Sequence, residues 1–292
     1  MKRTEKITAF GFFNIDKPSG ELSSAVVNKC KWLTGTPCGH MGTLDPLASG
    51  VLPVGVGNAT RLFDYFLQKE KEYIADFTFG VYADTLDSTG ELHLQGDIPT
   101  QSQIEEVLPT LGGEVMQIPP KYSAKNVNGK RGYDLARAGV EFELPAKQVQ
   151  IHEIRLVEQT AENAFRFVIR CGGGTYIRSI ARDMAAALST YAVMSGLRRT
   201  KSGFFTLENA IPFEIFKQDL PVCELEKYLI PTQDVLPFAT FSTEKKDETK
   251  LFNGMMVITD YEDGLYKLFK EESFYGILGV ENHKAKIRTK LC

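Results

Sequence analysis

The chain of 292 residues is short of nearly everything that would announce a metal, a disulfide framework or a membrane: it has five cysteines, four histidines and one tryptophan, and a formal net charge of only −3. Near charge balance excludes a global electrostatic footprint for nucleic acid, so any basic surface has to come from local clustering. The cysteines (Cys30, Cys38, Cys171, Cys223, Cys292) form no CxxC pair and are odd in number, a pattern that suits a reducing compartment better than a disulfide framework. No Cys or His pair has zinc-ligand spacing, so no metal is expected. There is no GxSxG segment for a serine hydrolase. Gly55-Val56-Gly57-Asn58-Ala59-Thr60 has Thr60 where a dinucleotide fingerprint needs its third glycine, and no repeated βαβ pattern supports it. The N-terminal apolar run is short and is broken by Asn14, Asp16 and Lys17, and no other run is long enough to cross a bilayer. A cytoplasmic protein is expected, with no membrane contact.

What remains is a globular composition, 43% hydrophobic, ample for a sizeable core. Ala9 to Ile15 reads as a strand entering the turn Asp16-Lys17-Pro18-Ser19-Gly20. Residues 23–33 read as a helix with Ser23 or Ser24 as N-cap, Val26, Val27, Cys30 and Leu33 being its apolar face. A Gly-rich passage from Gly35 to Gly57 follows, carrying a single acid, Asp45. Leu62, Phe63, Phe66 and Leu67 recur at helical offsets; Tyr73, Ala75, Phe77, Phe79 and Val81 alternate as a half-buried strand. Asp87-Ser88-Thr89-Gly90 reads as a hairpin turn, and Ile104, Val107, Leu108 and Leu111 as a helix ending at Gly112-Gly113. Phe165, Phe167 and Ile169 alternate as a strand. Gly172-Gly173-Gly174 then opens a helix with the stripe Ile177, Ile180, Ala181, Met184, Ala185, Leu188. The pattern is mixed α and β. After about residue 232 short strand-like runs predict a small β-rich module, with Pro231 and Pro237 bracketing the join.

Two stretches are locally basic. Residues 120–147 hold Lys121, Lys125, Lys130, Arg131, Arg137 and Lys147 against three acids, with Asn128-Gly129 as a turn signal. Residues 166–203 hold Arg166, Arg170, Arg178, Arg182, Arg198, Arg199 and Lys201 against Asp183 alone. Each has two readings, a solvated face or a grip on a phosphate backbone, and the second stretch invites phosphate more strongly. Arg178 falls in the first turn of its helix, where a cation opposes the helix dipole, so a fixed anion nearby would account for it. Asp45, between Leu44 and Pro46, reads either as a turn or cap aspartate or as a rigidly held functional carboxylate; if buried it needs a cation, and Arg178 fits best. Tyr73 reads as a core aromatic whose phenol wants a polar partner. His40 reads as a loop histidine or as a ring for stacking on a nucleotide.

The segment from Gly39 to Leu52, Gly-His-Met-Gly-Thr-Leu-Asp-Pro-Leu-Ala-Ser-Gly-Val-Leu, resembles the catalytic motif of TruB-type tRNA pseudouridine-55 synthases. Asp16-Lys17-Pro18, Lys71-Glu72-Tyr73, Pro119 to Ala124, Gly174 to Ser179 and Leu197-Arg198-Arg199-Thr200 follow in the family's order, and the match covers most of residues 10–210. Met41 and Cys38 depart from the family's usual residues on either side of His40. The resemblance implies an α+β pseudouridine synthase fold: a mixed, mostly antiparallel central sheet flanked by helices over residues 1–232, with a basic RNA-binding excursion at about 120–147. A small β-rich PUA-like domain would follow over 233–292. It implies Asp45 as nucleophile, Tyr73 stacking on the base and moving a proton, and Arg178 pairing with Asp45. Leu197 would floor the pocket, His40 would touch the flipped RNA and Lys17 would lie near the site. Tyr176, Lys121, Lys130, Arg131, Arg198 and Arg199 are the further expected substrate and RNA contacts. The activity implied is uridine to pseudouridine at position 55 of the tRNA T-loop, with no cofactor, the tRNA T-arm as partner, no obligatory protein partner and a monomeric chain. The competing reading is a non-catalytic tRNA-binding or tRNA-folding protein.

Overall fold

The computed structural model describes residues 6–123, 126–127, 130–132, 135 and 138–292. Its main body is built on one mixed sheet. The strands are β1 (Gly11–Lys17), β2 (Cys38–His40), β3 (Ser49–Val56), β4 (Lys71–Phe79) and the segments Gly113–Gln117, Lys147–Ala161, Ala164–Cys171, Ala192–Ser202 and Ile211–Pro212, with two short edge pieces. Among the described residues of this sheet only Ile211–Pro212 against β1 and Arg198-Arg199 against Ser49-Gly50 run parallel; the other pairings are antiparallel. The mixed, mostly antiparallel sheet is therefore as expected.

β4 sits near the middle, between Ala192–Ser202 and Ala164–Cys171. Its alternation is strict: Lys71, Tyr73, Ala75, Phe77 and Phe79 are buried and the residues between them are half-buried. Phe77 packs on Phe167 with ring centroids 5.0 Å apart, and Phe79 on Phe165 at 5.8 Å. Each such ring removed from water is worth about 1.5–3 kcal/mol. The same face carries Lys71 and Tyr73 to the end of the strand, where the core gives way to a cavity. Onto this face packs the helix Ile177–Ala187, burying Ile177, Ile180, Ala181, Met184 and Ala185 with Leu188 half-buried beside them.

Helix α1 (Ser23–Thr34) forms over the expected residues, but neither Ser23 nor Ser24 caps it; the N-cap is Leu22. The Ser23 side chain is directed elsewhere, as shown below. Residues 57–62 form a 3₁₀ turn and only Phe63–Leu67 is α-helical, because helical offsets alone do not distinguish the two. β1 extends through Asp16 and Lys17, which had read as turn. Asp87-Ser88-Thr89-Gly90 lies in the connection between the paired strands Val81–Tyr82 and His93–Leu94. Gln101–Val107 is a helix opened by a capping box at Thr100 and continued by a 3₁₀ turn to Leu111.

A second, five-stranded sheet covers residues 239–290 around Phe241, Leu251, Leu268, Leu278 and Val280. It is seated on the main body by Val235, Leu236, Phe274, Ile277 and Leu291, which share a core with Phe12, Leu62, Phe66 and Phe205. Asn58 and Arg61 donate to the carbonyls of Leu291 and Lys290 at 2.6 and 2.8 Å, closing the junction. Among the described residues no helix is long and apolar enough to cross a membrane.

Candidate active site

The loop from Met41 to Ala48 links β2 to β3, and its shape is fixed by hydrogen bonds to nearly every carbonyl it offers. Ser23 Oγ donates to Leu44 O at 2.7 Å and accepts from Leu44 N at 3.0 Å, so one hydroxyl clamps both polar groups of a buried residue. Gly20 N and Lys17 Nζ reach Pro46 O at 2.8 and 3.3 Å, and Ser19 Oγ reaches Leu47 O at 2.7 Å. From below, Arg199 donates to Gly42 O at 3.1 Å, Thr43 O at 3.4 Å and Val51 O at 2.7 Å. Gly50 lets the strands cross here: its φ is +100°, and a Cβ would lie 2.2 Å from the Arg199 carbonyl oxygen. The loop is thus a rigid mount for Asp45. Ser23→Ala strips Leu44 of both partners, and leaving buried groups unpaired costs about 1–3 kcal/mol. A lowered midpoint in urea denaturation together with a reduced turnover rate is the expected result.

Facing Asp45 is Arg178, one residue into its helix. Gln117 fixes that helix start by bonding both ways with the Tyr176 backbone, at 2.8 and 3.1 Å. Gly173 passes so close to the neighbouring chain that a Cβ would lie 1.8 Å from Leu67 O. The Arg178 guanidinium is 6% exposed and approaches Asp45 Oδ2 at 2.9 Å and Asp87 Oδ2 at 3.6 Å, while donating to Thr85 O and Tyr122 O at 3.1 Å each. The anion that its position in the helix called for is therefore a pair of carboxylates. Asp45 is the one that its isolation in the sequence marks out; Asp87 is hidden there by its turn. Its turn signal was real, since Asp87 Oδ1 accepts from Thr89 N at 3.0 Å, but the other oxygen points at Arg178.

Between them lies a cavity of about 210 Å³ lined by Asp45, Lys71, Tyr73, Ser123, Tyr176, Arg178, Leu197 and Arg199 among others. Asp45, Tyr73, Arg178, Tyr176 and Leu197 are thus brought together as expected. His40 is not among the lining residues; it sits in β2 opposite Val54, and burial, followed by the charge of Arg199, lowers its pKa, so the ring is neutral at pH 7. Burial raises the Tyr73 phenol to about 12, and raises Tyr176 as well. Burial also pulls the ammonium groups of Lys17 and Lys71 down to about 8. Lys71 is a further lining residue, and the alternation that buries Tyr73 extends to it.

Three expectations about RNA contact need correction. Lys17 is fully buried and its ammonium is used on the carbonyls of Pro18, Glu21 and Pro46, so it braces the loop rather than facing solvent. Arg199 is 1% exposed and its guanidinium is used on carbonyls of the Asp45 loop and β3, so it offers no grip on a phosphate backbone at the protein surface, although it lines the cavity. The 166–203 stretch is not a one-signed surface. Arg166 pairs with Asp76 and Glu158, Arg170 with Glu153, Arg182 with Asp183, Arg198 with Asp16 and Lys201 with Glu70. For all of these but Arg182, whose partner is the adjacent Asp183, acids outside the stretch neutralise what a local window counted as excess charge. Lys121 is exposed. Lys130 and Arg131 supply backbone to a short ribbon with Asn126–Val127. Their side chains, together with Lys125, Arg137 and the Asn128-Gly129 turn, lie outside the described residues.

The site is thus a carboxylate–arginine pair over one end of a long mixed sheet. The fold aligns with the structure titled a Cbf5–Nop10–Gar1 complex at a TM-score of 0.70 and 24% identity, covering 97% of this chain and 85% of that one. The model of the TruB family pseudouridylate synthase N-terminal domain matches residues 31–177. The tRNA pseudouridine synthase B of Caldanaerobacter subterraneus subsp. tengcongensis is 35% identical over 96% of this chain and 98% of its own length. That of Synechocystis sp. is 38% identical over 97% and 99%. The chain belongs to the TruB family of pseudouridylate synthases, and is an isomerase.

Proposed function

We propose that the protein converts uridine to pseudouridine at position 55 in the T-loop of tRNA, with Asp45 as nucleophile and no cofactor. The observation that carries this reading is the Asp45 carboxylate, held 2.9 Å from a buried guanidinium at the edge of a cavity walled by Tyr73 and Leu197. The names of the family relatives, tRNA pseudouridine synthase B, support the substrate.

The reaction breaks the bond from ribose C1′ to uracil N1, joins C1′ to C5, releases the C5 proton and leaves a proton on N1; electrons balance without an external oxidant. Asp45 opens it by attack on the anomeric carbon or on the ring, aimed by Arg178. The target base is stacked within a folded loop and has to be extruded, at a cost of about a few kcal/mol that pocket stacking and backbone contacts offset. Tyr73 supplies the stacking face. With its phenol at about 12, Tyr73 is protonated at pH 7 and serves as a hydrogen-bond donor before it serves as a base.

Residues 1–232 act as the catalytic unit in this reading and 233–292 as an RNA-binding module, with Lys121 and the excursion around it gripping the T-arm backbone. The chain works as a cytoplasmic monomer without an obligatory protein partner. Purified protein incubated with tRNA carrying tritium at uridine C5 is expected to release tritium to water. Binding of that tRNA without release would instead support a non-catalytic tRNA-binding protein.

A further inference from the structure

The cavity wall beside Arg178 holds a buried hydroxyl, that of Ser123, with no hydrogen-bond partner among the described residues. Ser123 is 5% exposed, and the chain is fixed where it enters the wall. Ser123 N donates to Lys121 O at 3.0 Å, and Tyr122 Oη donates to Asp84 Oδ2 at 2.8 Å. Tyr122 O accepts at 3.1 Å from Arg178 Nη2, the same nitrogen that lies 2.9 Å from Asp45 Oδ2. Ser123 therefore stands one peptide unit from a carbonyl that shares its donor with Asp45, on the side of the cavity from which Asp45 acts. The Tyr176 phenol lies on the same cavity wall but makes no hydrogen bond with it. Buried polar groups are hydrogen-bonded in the great majority of cases, so an unpaired hydroxyl bordering a cavity points to a bound group that completes it.

We propose that Ser123 binds the target base: its hydroxyl donates to O2 of the uracil, and to O4 once the detached ring has turned over. This rests on the pseudouridine synthase reading above. Asp45 acts at C1′ or on the ring beside N1, so the N1 edge of the base faces its side of the cavity. N1 is flanked there by C6–H and by the C2 carbonyl, and of these only O2 accepts a hydrogen bond. The half-turn about the N3–C6 line that brings C5 to the place of N1 also brings O4 to the place of O2. One hydroxyl thus serves both orientations of the ring, and its hydrogen rotates to follow small displacements. When the N1–C1′ bond breaks, the bonding pair stays on the ring and its charge spreads to O2 and O4. A donor already in place stabilises that charge, and no proton is transferred through it.

The test crosses Ser123→Ala, in the full chain, with a T-arm RNA carrying uridine, 2-thiouridine or 4-thiouridine at the target position. Single-turnover rate at saturating RNA and thermal midpoint are measured. Sulfur is a weaker acceptor than a carbonyl oxygen, so each thio substitution weakens one of the two contacts. Ser123→Ala is expected to lower the rate on uridine RNA about 10- to 100-fold. Each thio substitution is expected to slow the wild type more than it slows Ser123→Ala, in which the contact is already gone. The midpoint of Ser123→Ala is expected to equal or exceed that of the wild type, because alanine removes an unpaired buried hydroxyl and breaks no bond. A lowered midpoint or a variant that fails to fold makes Ser123 a residue bonded within the protein and overturns the proposal. A full rate on uridine RNA, or losses that multiply on 2-thiouridine RNA, overturn it as well. Losses that multiply on 4-thiouridine RNA alone overturn the second contact and leave the first. A wild type that forms no pseudouridine overturns the functional reading itself, whereas an active wild type with an equally active Ser123→Ala overturns this inference alone.

Discussion

Asp45→Asn lowers the rate of pseudouridine formation by about 10⁴-fold or more, while affinity for tRNA stays as in the wild type. Asparagine matches the carboxylate in shape but is neither nucleophile nor anion, and deleting the group that forms the covalent bond removes the whole step, as nucleophile substitutions do in other enzymes. The fold survives because the loop is held by Ser23, Gly20, Lys17 and Arg199 through backbone carbonyls, none of which involves the Asp45 side chain. Arg178 also keeps Asp87 as a counter-charge. The measurement is a single-turnover assay beside a filter-binding titration. Turnover at an appreciable fraction of the wild-type rate would remove Asp45 from the mechanism.

Arg178→Met is expected to damage both stability and rate. It leaves Asp45 and Asp87 near one another without their shared cation, and the carbonyls of Thr85 and Tyr122 without a donor. Breaking a buried pair costs about 3–5 kcal/mol; the Asp45 carboxylate is 36% exposed and water recovers part of this, so about 2–4 kcal/mol is expected in urea denaturation. The turnover rate falls about 10²- to 10³-fold, the usual cost of losing one preorganised charged partner. Arg178→Lys recovers part of the stability but not the aim, because an ammonium cannot fork between two carboxylates and two carbonyls. Loss of stability with full turnover would make Arg178 a structural residue only.

Where the sequence was legible, it was so through period and isolation. The alternation from Tyr73 to Phe79 and the stripe from Ile177 to Leu188 report directly which face meets the core. The solitary Asp45 and the misplaced cation Arg178 each called for a partner, and they meet. What stayed hidden depends on contacts between distant segments. Ser23 looked like a helix cap because nothing local shows that its hydroxyl is used 21 residues away. Asp87 looked like an ordinary turn residue because only the folded chain turns its second oxygen to Arg178. Arg198 and Arg199 adjoin in sequence, yet alternation along the strand sends one to Asp16 near the surface and the other into the interior. Counting charge in a window could not separate them, nor could it see the acids on neighbouring strands that neutralise Arg166, Arg170 and Lys201.

The central claim is best tested by mapping pseudouridine nucleotide by nucleotide in unmodified tRNA treated with the purified protein, with Asp45→Asn in parallel. A single new pseudouridine at position 55 of the T-loop, absent from the Asp45→Asn sample, is the predicted result. Modification elsewhere but not in the T-loop, or the same modification by the variant, would contradict it.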